Sequence, residues 1–156
     1  MMMNDMEMSS FHIAVVNFLY ALFCGVVIGV EREVKRKRAG IKTNTLICIG
    51  SALITTFSML TSRESGEQVR IVAQIVSGVG FLGAGAIIQA PGDKVSGLTT
   101  AALIWVVSGL GIGIGMGHGP TCAFLSVFLV VLTHIITLAE RRYFPRREVA
   151  EAEPIL

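Results

Sequence analysis

The chain has 156 residues, of which 53% are hydrophobic and only 15% are charged, and its mean hydropathy is +0.69. Soluble domains carry about 25% charged residues, so this composition excludes an ordinary soluble domain. A net charge of +2, from 13 basic and 11 acidic residues, is too balanced for a nucleic-acid-binding protein. The chain is too short to form a second core outside a membrane, so we expect one polytopic membrane domain over residues 1–156.

Long uncharged runs predict five transmembrane helices, because about 20 apolar residues cross a hydrocarbon core of about 30 Å. The longest run is divided by Gly117-His118-Gly119-Pro120, since glycine and proline together end a helix. Ala90-Pro91-Gly92-Asp93 forms another turn after the third span. The sequence therefore predicts an all-α membrane helix bundle with spans at 11–30, 45–61, 69–89, 99–117 and 121–139, and a short cytoplasmic tail at 140–156.

The basic residues are distributed unevenly over the predicted loops. Only Arg63 and Arg70 fall on one side of the membrane, and the remaining 11 of the 13 basic residues fall on the other. Because lysine and arginine accumulate in cytoplasmic loops, we expect the N-terminus outside and the C-terminus in the cytoplasm. The predicted cytoplasmic basic residues are Arg32, Lys35, Arg36, Lys37, Arg38, Lys42, Lys94, Arg141, Arg142, Arg146 and Arg147.

Polar residues at three predicted helix ends fall on this cytoplasmic face, and we call them the rim. We hypothesise that they meet, with Glu31 paired to a basic neighbour and the threonine and asparagine side chains capping helix starts. The alternative is that each residue caps or solvates only its own helix. The rim consists of Glu31 and Arg32, Thr43 and Asn44, and Asp93, Thr99 and Thr100.

Two predicted helices carry polar residues at helical spacing within their spans. Ser51, Thr55 and Ser58 share one face of the second helix, and Arg70, Gln74 and Ser77 lie along the third. Polar groups facing lipid are costly, so we expect both faces to turn inward toward one another. Either the hydroxyls bond across packed helices, or the faces line a polar cavity for an ion or small solute.

Glycines at close spacing predict tight helix packing, because small residues let backbones approach in a membrane. We expect them to support contacts with other helices, including those of a second copy. The segment Gly78–Gly83 also matches the G-x-G-x-x-G pattern, but it lies within a span, so no nucleotide site is predicted. The packing candidates are Gly25, Gly29, Gly78, Gly83, Gly85, Gly109 and Gly113.

Motifs for catalysis or metal binding are absent from the sequence. It has no H-E-x-x-H, G-x-S-x-G or C-x-x-C, and its three histidines are far apart. We interpret His134 as a packed, hydrogen-bonded residue rather than a metal ligand, and the three cysteines as buried thiols. We therefore predict no catalytic residues, no cofactor and no metal site.

Four blocks of sequence between residues 20 and 117 are specific when taken together. They are GVVIGVERE at 25–33, AGIKTNTL at 39–46, QIVSGVGFLGAG at 74–85 and VSGLTTAALIW at 95–105. In this order they resemble the MgtC/SapB family of bacterial inner-membrane proteins. The resemblance implies about five helices and a role in magnesium limitation, acid tolerance or virulence-type survival inside host cells, with the membrane ATP synthase as a candidate partner. Longer members carry a soluble C-terminal domain, whose functions the resemblance does not bring to this chain.

Two functional hypotheses remain open at this stage. The first is a non-catalytic regulator that contacts the lipid bilayer and binds a second copy or another membrane protein, with no nucleic acid involved. The second is a small transporter or channel component. No acidic residue lies in the middle of a predicted span to bind a cation or relay protons, which counts against the second. An intramembrane enzyme would need a nucleophile–base pair, which the pattern lacks.

Overall fold

The structure is a computed structural model that describes residues 2–61, 65–90 and 94–143. Within these residues the chain forms five long helices and one short hairpin. All five helices are long and apolar enough to cross a membrane, which confirms the predicted all-α bundle. In chain order the elements are α1 (Met2–Val34), α2 (Ile41–Thr61), α3 (Ser65–Ala86), β1 (Ile88–Ala90), β2 (Lys94–Ser96), α4 (Leu98–Gly115) and α5 (Gly119–Tyr143).

The first helix is longer than its predicted span. It has 33 residues, or about 50 Å at a rise of 1.5 Å per residue. Beyond Val30 it continues through Glu31, which pairs with Lys35 one turn later. An uncharged run marks the part of a helix that lies in hydrocarbon, so it underestimates a helix that extends past the membrane.

The third helix ends at Ala86, before its predicted end at residue 89, and a short antiparallel hairpin follows. Gln89 pairs with Val95 at the centre of this two-stranded sheet. Gly97 then turns the chain into α4 with φ 94°, where a Cβ atom would collide with the Ala86 carbonyl oxygen. Strands of three residues are too short for a periodic pattern, so the sequence did not predict the hairpin.

The fourth helix lies at the centre of the bundle and contacts all four other helices. Half of its span is buried within the chain, compared with 17% for α3 and 11% for α5. The core around it contains the thiols of Cys24, Cys48 and Cys122, which are buried as predicted. The two least covered helices, α3 and α5, therefore provide most of the surface available to lipid or to another protein.

Glycines bring α1 against α2 at very close range. A Cβ atom on Gly25 would lie 2.5 Å from the Thr45 Cα, and one on Gly29 would lie 2.5 Å from the Ile41 Cα. Gly83 faces Ala101 of α4, and Gly113 faces the Cys122 sulfur. The expectation that Gly25 and Gly29 contact a second chain is therefore wrong, because both faces already pack inside this one.

Candidate functional site

The end of α1 is joined to the start of α4 by a buried arginine. Arg32 is only 6% exposed, and its Nη2 donates a hydrogen bond to the Thr100 hydroxyl at 3.1 Å. Its Nη1 lies 3.9 Å from a carboxylate oxygen of Glu31, which itself pairs with Lys35. The structure thus brings three rim residues from two helices together and gives Glu31 the basic neighbour that was expected.

The start of α2 is capped from another helix. The Ile41 amide donates to the Glu33 carboxylate at 3.3 Å, so a side chain from α1 satisfies the first amide of α2. Sequence reasoning missed Glu33, although an acid directly before a short turn into the next helix fits this role. Asn44 instead donates backward to the carbonyls of Ala39 and Gly40, the latter at 2.9 Å.

The predicted capping of α4 by a threonine is also wrong. Its N-cap residue is Gly97, which makes no side-chain hydrogen bond. Thr43 and Thr99 are exposed, while Thr100 is buried and accepts from Arg32. Asp93 lies outside the described residues.

Three polar atoms near this junction are buried without a hydrogen-bond partner in the described part of the chain. They are Arg32 Nε, Asn44 Oδ1 and Thr45 Oγ1. Buried unpaired polar atoms cost about 1–3 kcal/mol each. These atoms lie at the junction of α1, α2 and α4, so the rim contains buried polar groups that can accept further hydrogen bonds or donate them.

The polar face of α2 points inward and meets neighbouring helices in pairs. The Ser51 hydroxyl lies 2.9 Å from that of Ser108 on α4, and Asn17 of α1 donates to the Thr56 hydroxyl at 2.9 Å. Thr55 and Ser58 are buried on the same face. Asn17 was not singled out from the sequence, although an asparagine within an apolar span is costly enough to require a partner.

Two of the three polar residues of α3 lie on the opposite side from the one expected. Arg70, Gln74 and Ser77 are all exposed, but Gln74 also borders the space between α3 and α2. The face of α3 that packs inward contains Val79 and Gly83 instead. Steps of three and four residues keep each set on one side of the helix, and the two sets are about half a turn apart.

A groove of about 550 Å³ separates α2 from α3 and opens toward the lipid. Its lining is mainly apolar and includes Leu46, Ile54 and Ile71, with Ser51 of α2 and Gln74 of α3 as its polar side chains. Gly50 and Gly78 border the groove, and a Cβ atom on either would meet nothing within 4 Å. Consequently α3 is attached to the bundle mainly through α4, and its outer face and one flank are open.

Histidine positions give no support to a metal centre. In the described residues, no group of three or more His, Cys, Asp or Glu side chains is arranged to hold a metal ion. His134 is exposed on α5 rather than packed, which corrects the expectation from its apolar surroundings. His12 contacts Phe11 edge to face, and His118 lies in the turn between α4 and α5.

Comparison with known proteins gives one consistent family. A sequence model of the MgtC family matches residues 18–142. Protein MgtC of Salmonella paratyphi A is 38% identical over 139 residues, covering 89% of this chain and 59% of that protein. Protein MgtC of Salmonella typhimurium LT2 is 41% identical over 126 residues, covering 81% and 52%. Protein SapB of Bacillus subtilis is 37% identical over 134 residues, covering 81% and 58%. The chain thus spans between half and three fifths of these relatives, and no solved structure matches it.

Proposed function

The chain belongs to the MgtC family of membrane proteins, and from this premise we propose that it is a non-catalytic regulator of another protein in the bacterial inner membrane. Its setting is adaptation to magnesium limitation, acid stress or growth inside a host. The relatives named MgtC support the link to magnesium. We place the N-terminus outside and the C-terminus in the cytoplasm, in agreement with the distribution of basic residues.

The outward polar face of α3 is the observation that carries this proposal. Gln74 lies nine residues into the helix, about 14 Å from its start and therefore near the middle of a bilayer. Its amide is exposed and has no hydrogen-bond partner among the described residues. An amide left unpaired in hydrocarbon costs about 4–8 kcal/mol. A protein partner that binds this face would supply the missing hydrogen bonds.

The exposed face of α5 provides the contrast. Its large exposed side chains are mostly apolar, among them Phe124, Phe128 and Val131, and His134 is the exposed polar residue in its second half. The apolar part of this face is accommodated by lipid. The exposed faces of α3 and α5 therefore differ in residue composition. Only α3 has the mixture of polar and small residues typical of helix–helix contacts.

The arrangement of the interior favours regulation over transport. Two pairs of polar groups inside the bundle are joined between helices, Ser51–Ser108 and Asn17–Thr56, whereas the buried Thr55 and Ser58 hydroxyls have no partner among the described residues. The groove between α2 and α3 is lined mainly by apolar side chains. Charged or strongly polar solutes require a lining of compensating groups, so neither feature supports a conduction path, and we do not favour the transporter alternative.

A growth experiment tests the proposal. In a strain lacking its own copy of the gene, the wild-type chain should restore growth at limiting magnesium, and Gln74→Leu should not. His134→Leu is the matched control, since it removes an exposed polar side chain from α5. All three proteins should reach the membrane in equal amounts. Saturable ion flux through the purified wild-type chain in liposomes, or full restoration by Gln74→Leu, would contradict the proposal.

A further inference from the structure

One side of α3 is a continuous surface facing away from the bundle, and we call it the α3 outer face. It consists of Glu67, Arg70, Gln74, Ser77 and Phe81, which follow steps of three and four residues and so share one side of the helix. All five are exposed. The inward side of the same helix packs against α4, so the outer face is presented to the membrane, with Gln74 at its border with the groove between α2 and α3.

The amide at the centre of this face is complementary to itself. A glutamine side chain donates through its NH2 group and accepts through its oxygen. When two identical helices face each other across a two-fold axis, residue i meets its own counterpart. Two copies of Gln74 would therefore exchange two hydrogen bonds, and neither would leave an unpaired donor or acceptor in hydrocarbon.

The two charged residues near the beginning of α3 are also complementary to those of a second copy across a two-fold axis. Glu67 and Arg70 have no ion-pair partner in the described part of the chain, although only three residues separate them. A two-fold axis between parallel helices places the Glu67 of one copy diagonally opposite the Arg70 of the other. The face thus carries one acid and one base in an arrangement that matches a second copy of itself, near the membrane surface where such charges are tolerated.

The shape of the face also suits close approach. Phe81 is 81% exposed and is the largest projection on it. Gly78 and Gly85 lie about one turn before and after Phe81, and a Cβ atom on either would meet nothing within 4 Å. Each copy therefore offers a ring and adjacent space for the ring of the other.

From these features we infer that the α3 outer face binds a second copy of this chain and forms a two-fold α3–α3 dimer. The two copies insert in the same orientation, so the helices are parallel and the axis runs along the membrane normal. The inference rests on the proposed function, because the α3 outer face supports that proposal and the dimer gives this face its first partner. The dimer buries the Gln74 amides and leaves the apolar face of α5 for lipid.

Disulfide crosslinking in native membranes tests the position of the interface. The native cysteines are buried, so the wild-type chain should form no covalent dimer on oxidation with copper phenanthroline and serves as the background control. Ser77→Cys and Phe81→Cys should each give a covalent dimer. Val76→Cys on the flank of α3 and Val131→Cys on α5 are the controls and should remain monomeric.

Substitutions on the face test its chemistry. Gln74→Leu should weaken the dimer about tenfold, since interhelical hydrogen bonds in membranes contribute about 0.6–2 kcal/mol each. Gln74→Asn, which keeps the amide, should retain more of the association. Glu67→Arg and Arg70→Glu should each reduce dimer formation, and the double variant should restore it because the opposite charges face each other again. Association is measured by co-purification of two differently tagged copies from mixed membranes.

The outcomes separate this inference from the proposed function. Absence of self-crosslinking at Ser77, with adducts only to a different membrane protein, would overturn the dimer and leave the proposed function standing. Failure of the double charge swap to restore association would also overturn the two-fold arrangement. A third result is that Ser77→Cys forms the dimer, while Gln74→Leu no longer dimerises but still restores growth at limiting magnesium. This result would support the dimer and contradict the proposed function.

Discussion

Gly29 is the position where a single added methyl group should damage the bundle most clearly. A Cβ atom there would lie 2.5 Å from the Ile41 Cα and 3.2 Å from the Ile41 nitrogen. Favourable carbon contacts lie at about 3.5–4.0 Å, so α1 and α2 must separate by roughly 1 Å to admit the methyl group. The obstructing atoms belong to a backbone, which cannot rotate away as a flexible side chain would.

The expected cost of Gly29→Ala follows from this overlap. Inserting a methyl group into a closely packed contact costs about 1–3 kcal/mol. For a chain of this length, each kcal/mol lowers the melting temperature by about 2–4 °C, so we expect a decrease of about 2–12 °C. Gly109→Ala is the control, because a Cβ atom on Gly109 would meet nothing within 4 Å. Alanine also favours a helix by up to about 1 kcal/mol over glycine, so this variant should be as stable as wild type or more so.

The assay is thermal unfolding of the purified protein in detergent, followed by size-exclusion chromatography of the fraction that remains folded. Both variants should insert and express, which separates packing from membrane targeting. Equal melting temperatures for Gly29→Ala and Gly109→Ala would refute the close approach of α1 and α2. A decrease for Gly109→Ala alone would show that the tight contact had been assigned to the wrong helices.

Three further predictions concern the rim, the interior and the topology. Thr100→Val leaves a buried Arg32 donor unpaired and should cost about 1–3 kcal/mol in the same thermal assay; an unchanged melting temperature would argue against their hydrogen bond. Ser51→Ala and Ser108→Ala should be coupled by about 0.6 kcal/mol in a double-mutant cycle, whereas strictly additive effects would mean that the two hydroxyls do not bond. A cysteine replacing Lys37 should react with an impermeant maleimide only after the cytoplasmic side is opened, and labelling of intact spheroplasts would reverse the assigned topology.

The number and placement of the helices could be predicted because each apolar run matches the thickness of a bilayer. The direction of the polar face was predicted correctly for α2 but not for α3. The spacing of Gln74 and Ser77 indicates that they share a side of α3, but it does not indicate what that side contacts. The rule that polar groups avoid lipid predicted an inward polar face for α3. That prediction holds only if every hydrogen-bond partner of these side chains belongs to the same chain.

The rim was partly predictable for a different reason. Residues at the end of α1 and at the start of α4 were expected at one membrane surface. Arg32 does donate a hydrogen bond to Thr100 there. The cap on Ile41 comes from Glu33, eight residues earlier in the chain. Capping rules describe residues next to a helix start, so a cap supplied by the preceding helix depends on how the α1–α2 turn folds, which local patterns do not specify.

In the proposed arrangement, the α3 outer face contacts protein within the membrane, whereas the exposed face of α5 contacts lipid. A photo-reactive amino acid placed in living cells at position 77 of α3, or at position 131 of α5 for comparison, tests this directly. We expect protein adducts at position 77 and only lipid adducts at position 131, and we expect Gln74→Leu to abolish the protein adduct at 77. Lipid adducts alone at both positions would contradict it.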